Sequence, residues 1–288
     1  MTATLDLGAY FARIGYVGAR PAPTLDTLRI LQLQHSQAIA FENLNPLLRW
    51  PVSLEIGALQ QKIVREGRGG WCFEQNLLFS HVLQELGFKI TWLAARVLWN
   101  VPEGTVTTRS HMLVRVDLAE GSFIADVGFG VMTPTAPLRL EPGLEQQTPH
   151  ERFRLIPADE DYVMQVEIGG AWKTLYRFGL YRQFLADYQM SNWYLCNHPD
   201  SFFLKDLMAA RPMPDRRYSI RNNELTVHHL DGRTERYLMT SGAELRAALE
   251  NLLGLSVPTG EQVDALLERL IRQTVEPLGS QTRAVARI

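Results

Sequence analysis

The segment RGGWCFEQN, residues 68–76, contains one of only two cysteines in a chain of 288 residues. Apolar residues after Cys72 recur at the spacing of one buried helical face, and Gly87 is placed to end that helix, so Cys72 is predicted to start it. The unpaired N–H groups at a helix start favour a thiolate, which is the nucleophilic form of cysteine. Cys72 is therefore a candidate nucleophile, although a small buried thiol with no chemical role is equally consistent with the helix alone.

A nucleophilic thiol needs a neighbouring imidazole, and the chain has seven histidines. His228 and His229 are adjacent in a predicted strand, so they point to opposite faces and cannot converge on one atom. His111 begins a predicted hairpin whose returning strand ends near Asp126, so these two side chains are expected to lie side by side. A carboxylate there would set the tautomer of the imidazole and stabilise its charged form, although Asp126 before two glycines is also typical of a turn-capping residue.

Glycines lie close in sequence to the candidate cysteine and the candidate aspartate. Gly69 and Gly70 precede the cysteine and are expected to let the backbone approach the thiol and to leave room for an acyl group. Gly128 and Gly130, in the sequence DVGFG, could form a backbone nest for phosphate. That segment lacks the residues of a Walker A loop and of a dinucleotide-binding glycine motif, so a turn at the end of a strand is the more common explanation.

The elements that must position these residues change along the chain. The first 89 residues favour helices, including one over the segment from Thr24 and one that Ser53 would cap. From Lys89 the pattern changes to the strands of a small antiparallel barrel or sandwich, and Cys196 is predicted to lie in a strand or loop. The last part combines strands and helices. Turn and capping signals lie at Gly169-Gly170, Asn222-Asn223, Asp231-Gly232, Ser241 and Thr259.

Composition argues against several classes of protein. The formal charge of −2, from 29 basic and 31 acidic side chains, is not that of a general nucleic-acid binder. The N-terminus lacks the basic start and apolar run of a signal peptide, and no segment is apolar for long enough to span a bilayer, so we expect the cytoplasm. Cys72 and Cys196 lie far apart without CxxC spacing, so neither a disulfide framework nor a cysteine-based zinc site is indicated.

Five motifs together resemble one known family, the arylamine N-acetyltransferases. The motifs have the order and spacing of that family over nearly the whole chain. They are FENL at 41–44, RGGWCFEQN at 68–76, SHMLVRV at 110–116, DVGFG at 126–130 and NWYLCNHPDSFF at 192–203. The RGGxCxExN segment, followed by the histidine and the aspartate, is the specific part of the resemblance, whereas the C-terminal third matches only in length and pattern.

The resemblance implies an α+β fold with a cysteine-protease-like triad core. It divides the chain into an N-terminal helical bundle (1–89), an antiparallel β-barrel (90–200) and a C-terminal α/β lid (201–288). A triad of Cys72, His111 and Asp126 would move acetyl from acetyl-CoA to arylamines, arylhydrazines or N-hydroxyarylamines, in a ping-pong mechanism through an acetyl-cysteine. An amide synthase, or a cysteine hydrolase of the transglutaminase or papain type, could use the same triad, so both stay as alternatives.

The resemblance also implies which residues bind the two substrates. Apolar and aromatic side chains would hold the acceptor ring; they are Phe41, Phe73, Val97, Trp99, Phe129 and Phe203. Ser110, Gly128 and Gly130 would lie near the coenzyme. The implied partners are acetyl-CoA as cosubstrate and a small acceptor amine or hydrazine, as in xenobiotic metabolism. Neither a metal, a nucleic acid nor a membrane is implied, and a homodimer is left open.

Overall fold

The computed structural model describes residues 4–273, and it has the α+β architecture expected from the sequence. Helices come first along the chain, an eight-stranded antiparallel sheet follows, and a five-stranded sheet with two more helices comes last. Within residues 4–273, none of the helices combines the length and the apolar character that crossing a membrane requires.

The N-terminal part contains five helices and one very short strand. These are α1 (Leu7–Ile14), α2 (Leu25–Ala38), β1 (Phe41–Glu42), α3 (Leu44–Leu47), α4 (Ile56–Leu59), which continues as a π-helix over Gln60–Arg65, and α5 (Cys72–Glu85). The cap expected at Ser53 is wrong: α4 begins three residues later, and the Ser53 hydroxyl accepts the N–H of Glu55 in the loop before it.

Helix α5 is the central helix of this part and carries Cys72 as its first residue, as predicted. Eleven of its 14 residues are buried, so it is covered on nearly all sides rather than along one stripe. It packs against the strands that follow it in sequence, and Gly87, in the left-handed region with φ of 90°, turns the chain away just after its end.

The eight-stranded sheet has the order β5-β4-β3-β2-β9-β8-β7-β6 and encloses its own apolar core, like a barrel that is nearly closed. Its strands are β2 (Lys89–Val97), β3 (His111–Leu118), β4 (Gly121–Ala125), β5 (Leu138–Arg139), β6 (Gln146–Gln147), β7 (Arg152–Ala158), β8 (Asp161–Ile168) and β9 (Ala171–Phe178). The two predicted hairpins, β3–β4 and β8–β9, are both present, and Gly169 and Gly170 form the turn of the second.

Helix α6 (Leu185–Asn197) follows the eight-stranded sheet, and a short 3₁₀ turn lies at Phe202–Leu204. The prediction of a strand or loop around Cys196 is therefore wrong. The buried residues of α6, Tyr188, Asn192 and Leu195, recur at helical spacing and form one face: Tyr188 packs against Phe73 of α5, and Leu195 lies in the same core. Tertiary packing outweighs the local β-propensity here.

The C-terminal part contains four strands and two helices: β10 (Met208–Met213), β11 (Arg216–Arg221), β12 (Glu224–His229), β13 (Thr234–Leu238), α7 (Gly242–Asn251) and α8 (Glu261–Ile271). Its fifth strand is β1, because Phe41 pairs with Ala210. The N-terminal and C-terminal parts thus share one sheet, and the domain boundaries near 89 and 200 stay a prediction.

The two capping signals of this part have different outcomes. The Ser241 hydroxyl accepts the N–H of Glu244 and starts α7, as predicted. The capping box expected at Thr259 is wrong, because α8 starts after Gly260. Gln262, which would have completed that box, instead donates to the carbonyl of Leu48, 2.9 Å away. A long-range contact has replaced the local one.

Candidate active site

Cys72 lies at the N-terminus of α5, where the first N–H groups of a helix have no intrahelical acceptor. Its side chain is nearly buried, with 5% of its surface exposed. The sulfur is 3.5 Å from the carbonyl oxygen of Ser110, the residue just before β3. The start of the helix and the start of the strand therefore meet at the thiol.

His111 and Asp126 form a buried pair beside this thiol. Val114 of β3 pairs with Ala125 of β4, so Asp126 follows the last paired residue and lies diagonally across from His111 on the same face. The distance from His111 Nε2 to Asp126 Oδ2 is 2.7 Å. Because Nε2 is used in this bond, Nδ1 is the ring nitrogen left for the cysteine.

The electrostatics of this site favour a charged imidazole. Burial by itself lowers the pKa of His111, but the charge of Asp126, the hydrogen bond to it, and the interaction with Cys72 together raise that pKa to about 10. For Asp126, burial has the opposite effect and tends to raise the pKa. Here the charge of His111 and the hydrogen bonds from His111, Asn76 and Gly128 outweigh burial and hold it below its ordinary value.

Asp126 accepts four hydrogen bonds, which use both of its oxygens. Oδ2 accepts from His111 and, at 3.0 Å, from the hydroxyl of Tyr176. Oδ1 accepts from the side-chain amide of Asn76 at 3.0 Å and from the N–H of Gly128 at 2.9 Å. The two alternatives for this carboxylate, a partner of the imidazole and a turn cap, are thus both realised by one side chain.

Asn76 and Tyr176 are parts of this site that sequence reasoning missed. The Asn76 amide also donates to the carbonyl of Met112 at 2.8 Å, and its oxygen accepts the N–H of Val127 at 3.1 Å. It therefore ties α5 to both strands of the hairpin. Its position four residues after Cys72, on the same helical face, was an available signal. Tyr176 had none, because only the pairing of β9 with β2 brings it here.

The glycine that fits against Cys72 is not one of those next to it in sequence. A Cβ atom on Gly69 would lie 2.2 Å from the carbonyl oxygen of Ala40, and one on Gly70 would lie 2.9 Å from the side chain of Glu74. Only at Gly128 would a Cβ atom approach Cys72, at 2.8 Å from its Cα. The first two glycines therefore allow close packing against Ala40 and Glu74, and the expectation that they make room at the thiol stays a prediction.

A group of buried charged side chains surrounds the segment that leads into α5. The Glu74 carboxylate accepts the N–H of Trp71 at 3.1 Å and binds Lys62 Nζ at 2.7 Å. Lys62 also lies 3.6 Å from Glu42, which in turn binds Arg68 at 2.9 Å. Burial raises the pKa of Glu74, while the two cations hold the pKa of Glu42 down against its own burial. These paired charges connect Lys62, Arg68, Glu42 and Glu74 and help to fix the geometry of the segment before Cys72.

The predicted acceptor residues lie in two groups around the triad. The ring of Phe129 is 5.1 Å from that of His111, and Val97 pairs with Tyr176 in the sheet. On the other side, the ring of Phe203 is 6.4 Å from that of Phe41 and 5.2 Å from that of Trp71.

The two other predicted acceptor residues lie deeper or farther away. Trp99 packs on the barrel core, and Phe73 is fully buried against Tyr188. Of the predicted coenzyme positions, Ser110 is next to the sulfur, Gly130 lies on a turn with φ of 89°, and the N–H of Gly128 is already used by Asp126.

Comparison with known proteins gives consistent results. A family model described as N-acetyltransferase matches residues 24–262. The arylamine N-acetyltransferase of Mycobacterium tuberculosis is 40% identical over 270 residues, which cover 92% of this chain and 95% of that protein. A Salmonella typhimurium relative named arylamine N-acetyltransferase / N-hydroxyarylamine O-acetyltransferase is 36% identical and is matched over 88% of this chain and 90% of its own length.

A solved structure extends the similarity to the fold. The structure of Mycobacterium marinum arylamine N-acetyltransferase in complex with CoA matches with a TM-score of 0.88 and 39% sequence identity, over 92% of this chain and 99% of that one. The residues matched by the family model, 24–262, include the helix and the two strands that bring the cysteine, histidine and aspartate together. The chain therefore belongs to the arylamine N-acetyltransferase family and is an acyltransferase.

Proposed function

We propose that this protein transfers acetyl from acetyl-CoA to arylamines, arylhydrazines or N-hydroxyarylamines, with Cys72 as the nucleophile and His111 and Asp126 as its partners. The observation that carries the proposal is the buried 2.7 Å contact of His111 with Asp126 beside a cysteine that starts a helix. The CoA complex of the Mycobacterium marinum relative supports the choice of coenzyme, and the name of the Salmonella relative supports the N-hydroxy acceptors.

In the first half reaction the Cys72 thiolate attacks the carbonyl carbon of the thioester. A new S–C bond forms, the bond between that carbon and the sulfur of the coenzyme breaks, and the leaving thiolate takes a proton from His111. The N–H groups at the start of α5 have no intrahelical acceptor, so they are available to stabilise the negative oxygen of the intermediate.

In the second half reaction the acceptor nitrogen attacks the acetyl-cysteine. His111 accepts a proton from the nitrogen, and Cys72 leaves as thiolate. Acetylation removes the negative charge from Cys72, and that charge is one of the causes that raise the pKa of His111. The pKa of His111 is therefore lower in the acetyl-enzyme, which suits its change of role from proton donor to base.

The aromatic residues near the triad suit an aryl acceptor. The ring of Phe129 contacts the imidazole of His111, whereas the ring of Phe203 contacts those of Phe41 and Trp71. Rings of this kind bind a flat apolar substrate by stacking and by edge contacts, without fixing one substituent pattern. We place the acceptor ring between these two groups, next to the sulfur.

The test is the mass of the intact protein after mixing with acetyl-CoA in the absence of an amine. We expect one added acetyl group, located on Cys72 by peptide mapping, and its loss on addition of an arylamine with formation of the acetylated amine. Cys72→Ser should abolish the label, and the matched control Cys196→Ser should keep it. Initial rates should give the parallel double-reciprocal lines of a ping-pong mechanism.

Other outcomes identify the alternatives. Release of acetate to water much faster than transfer to any amine would indicate a hydrolase. Labelling by long-chain or polyketide-like thioesters but not by acetyl-CoA would indicate an amide synthase. Intersecting kinetic lines without an acetylated protein would refute the covalent mechanism.

A further inference from the structure

Arg217 is a buried arginine that the proposed mechanism does not use. It lies on β11, in the C-terminal part of the chain, and only 1% of its surface is exposed. Its guanidinium binds the carboxylate of Glu151 through two nitrogens, Nε at 2.8 Å and Nη2 at 2.6 Å. A buried guanidinium needs acceptors for its remaining hydrogens as well, so its other contacts show what else it holds in place.

Those other contacts are with residues 127–134, which we call the glycine loop. Nη1 of Arg217 donates to the carbonyl of Val131 at 3.0 Å, and Nη2 donates to that of Thr133 at 3.1 Å. The hydroxyl and the N–H of Thr133 in turn donate to the carbonyl of Gly130, at 2.8 Å and 3.2 Å. One side chain of the C-terminal part therefore holds the turn that ends the DVGFG segment.

Two further contacts attach the glycine loop to the rest of the protein. The side-chain amide of Gln32, on α2, donates to the carbonyl of Pro134 at 2.9 Å. The side chain of Met132 is buried in the core of the eight-stranded sheet. Because these contacts do not involve Arg217, its replacement should displace the loop without unfolding it.

Phe129 is the residue of the glycine loop that is placed to contact an acceptor. It is partly exposed, whereas Gly128 and Gly130 on either side of it are buried. Its ring lies 5.1 Å from that of His111. Because a phenyl ring has no hydrogen-bonding group, its position depends on packing and on the backbone that carries it. The bonds from Arg217 to the carbonyls just after Phe129 therefore affect where this ring lies.

The triad depends less on the glycine loop than Phe129 does. Asp126 accepts one hydrogen bond from the loop, from the N–H of Gly128 at 2.9 Å. Its three other donors lie on separate elements, and they are Asn76, His111 and Tyr176. A small shift of the loop should thus change the contacts with an acceptor more than it changes the chemistry of the thiol.

We propose that Arg217 is a positioning residue that sets how the acceptor ring is bound, because it holds the glycine loop and with it Phe129. This inference rests on the proposed function, since it concerns the acceptor of the second half reaction. The planar guanidinium reaches a carboxylate and two carbonyls at once, whereas the ammonium group of a lysine is a single point charge. Arg217 thus connects the C-terminal part of the chain to the acceptor side of the site.

The test is Arg217→Lys, which keeps a positive charge beside Glu151 and loses the paired bonds to the glycine loop. We expect kcat/KM for bulky arylamines to fall about tenfold, since a misplacement of less than about 1 Å is enough for such a loss. Burst acetylation by acetyl-CoA should stay nearly normal. Peptides that cover the glycine loop should exchange their amide hydrogens faster, as measured by mass spectrometry.

The matched control is Arg216→Lys, the same substitution one residue earlier on β11. The side chain of Arg216 points to the opposite face of the strand and binds the adjacent Asp215, so this variant should leave both readouts unchanged.

Two further variants separate the loop contacts from stability. Glu151→Gln removes the charge that neutralises Arg217 but keeps an oxygen that accepts from it, so the free energy of unfolding should fall while amine transfer stays that of wild type. Added to Phe129→Ala, Arg217→Lys should cause no further loss of amine transfer, because the ring through which it acts is gone. If Arg217→Lys does not fold, Arg217→Gln combined with Glu151→Gln removes both charges together and is compared with Glu151→Gln alone.

Three results would overturn the inference. They are an equal loss in both half reactions, a loss in Glu151→Gln as large as that in Arg217→Lys, and losses from Arg217→Lys and Phe129→Ala that simply add. The proposed function is tested separately by the acetyl label on the wild-type protein. If that label is absent while exchange in the glycine loop still depends on Arg217, the transfer mechanism fails and the contacts of Arg217 with the loop stand.

Discussion

Cys72 is the first residue of α5, whereas Cys196 is the second-last residue of α6. Cys72 therefore lies at the positive end of its helix dipole, and Cys196 lies at the negative end of its own. Beside Cys72 lies His111, whose pKa the carboxylate of Asp126 raises. Cys196 is half-buried near the carboxylate of Glu74, and burial, with the charge of Glu74 adding to it, raises the pKa of Cys196 to about 12.

The difference shows that two residues of the same type have different electrostatic surroundings in this protein. Both cysteines contact the same apolar core around α5. What separates them is the ion pair of His111 with Asp126 beside Cys72, the carboxylate of Glu74 near Cys196, and the direction in which each helix runs from its cysteine. Changes to those features should therefore alter the contrast between the two thiols by predictable amounts.

Alkylation should show the largest contrast. At pH 7 a thiol with a pKa of about 12 is ionised in about one molecule in 10⁵, so iodoacetamide should label Cys72 more than about 10³-fold faster than Cys196. Prior acetylation should protect Cys72. His111→Ala should slow the labelling of Cys72 and leave that of Cys196 unchanged, as measured by peptide mapping. Preferential modification of Cys196 would remove Cys72 from its proposed role.

Asp126→Asn should have the next largest effect. An amide keeps the size of the side chain but removes the charge that supports the imidazolium, and it places an NH₂ group against donors such as Tyr176 or Asn76. We expect a folded protein whose acetylation by acetyl-CoA is about 10²–10⁴-fold slower. The measurement is burst acetylation with circular dichroism as the folding control. A folded variant with a normal burst would leave Asp126 as a turn residue only.

The pH dependence of the free energy of unfolding should report the raised pKa of His111. The folded pKa of His111 is raised to about 10, so its contribution to stability is complete below its unfolded value of about 6.5 and is lost as pH rises toward 10. A Cys72 thiolate would offset this loss in the wild type, because the unfolded thiol keeps its proton up to about pH 8.5. In Cys72→Ala, where no thiolate is present, the free energy of unfolding should therefore fall between about pH 7 and 8.5, and Cys72→Ala with His111→Gln should lack this fall in urea titrations. The same slope in both variants would assign it to other groups.

Phe203→Ala should have the smallest effect, and only on one half reaction. Its ring contacts Trp71 and Phe41 on the acceptor side of the thiol, and the loss of such a contact costs about 1 kcal/mol or more. We expect about a fivefold rise in the apparent KM for bulky arylamines and nearly unchanged burst acetylation. Equal losses in both half reactions would contradict the division between acceptor and donor sides.

Much of this structure is predictable from local signals. The helix that starts at Cys72, the hairpin from His111 to Asp126 and the later hairpins all form where the spacing of apolar residues and the turn residues indicate. The reason is that periodicity and turn chemistry act over a few residues, and a short segment carries them complete. The failures occur at Ser53, Cys196 and Thr259. Ser53 accepts the N–H of Glu55 within a loop, Cys196 lies on a helix that packs on the core around α5, and Gln262, which would have completed the box at Thr259, donates to the distant carbonyl of Leu48.

The sequence alone determined the start of the helix at Cys72 and the nearness of His111 and Asp126, because a hairpin of 16 residues brings its own ends together. Only the tertiary structure decided which side chains complete the site. Tyr176 is 50 residues from Asp126, and it reaches the carboxylate only because β9 pairs with β2. Gly128, and not Gly69 or Gly70, fits against Cys72, because the close approach is between two separate elements and depends on how α5 packs on the strands.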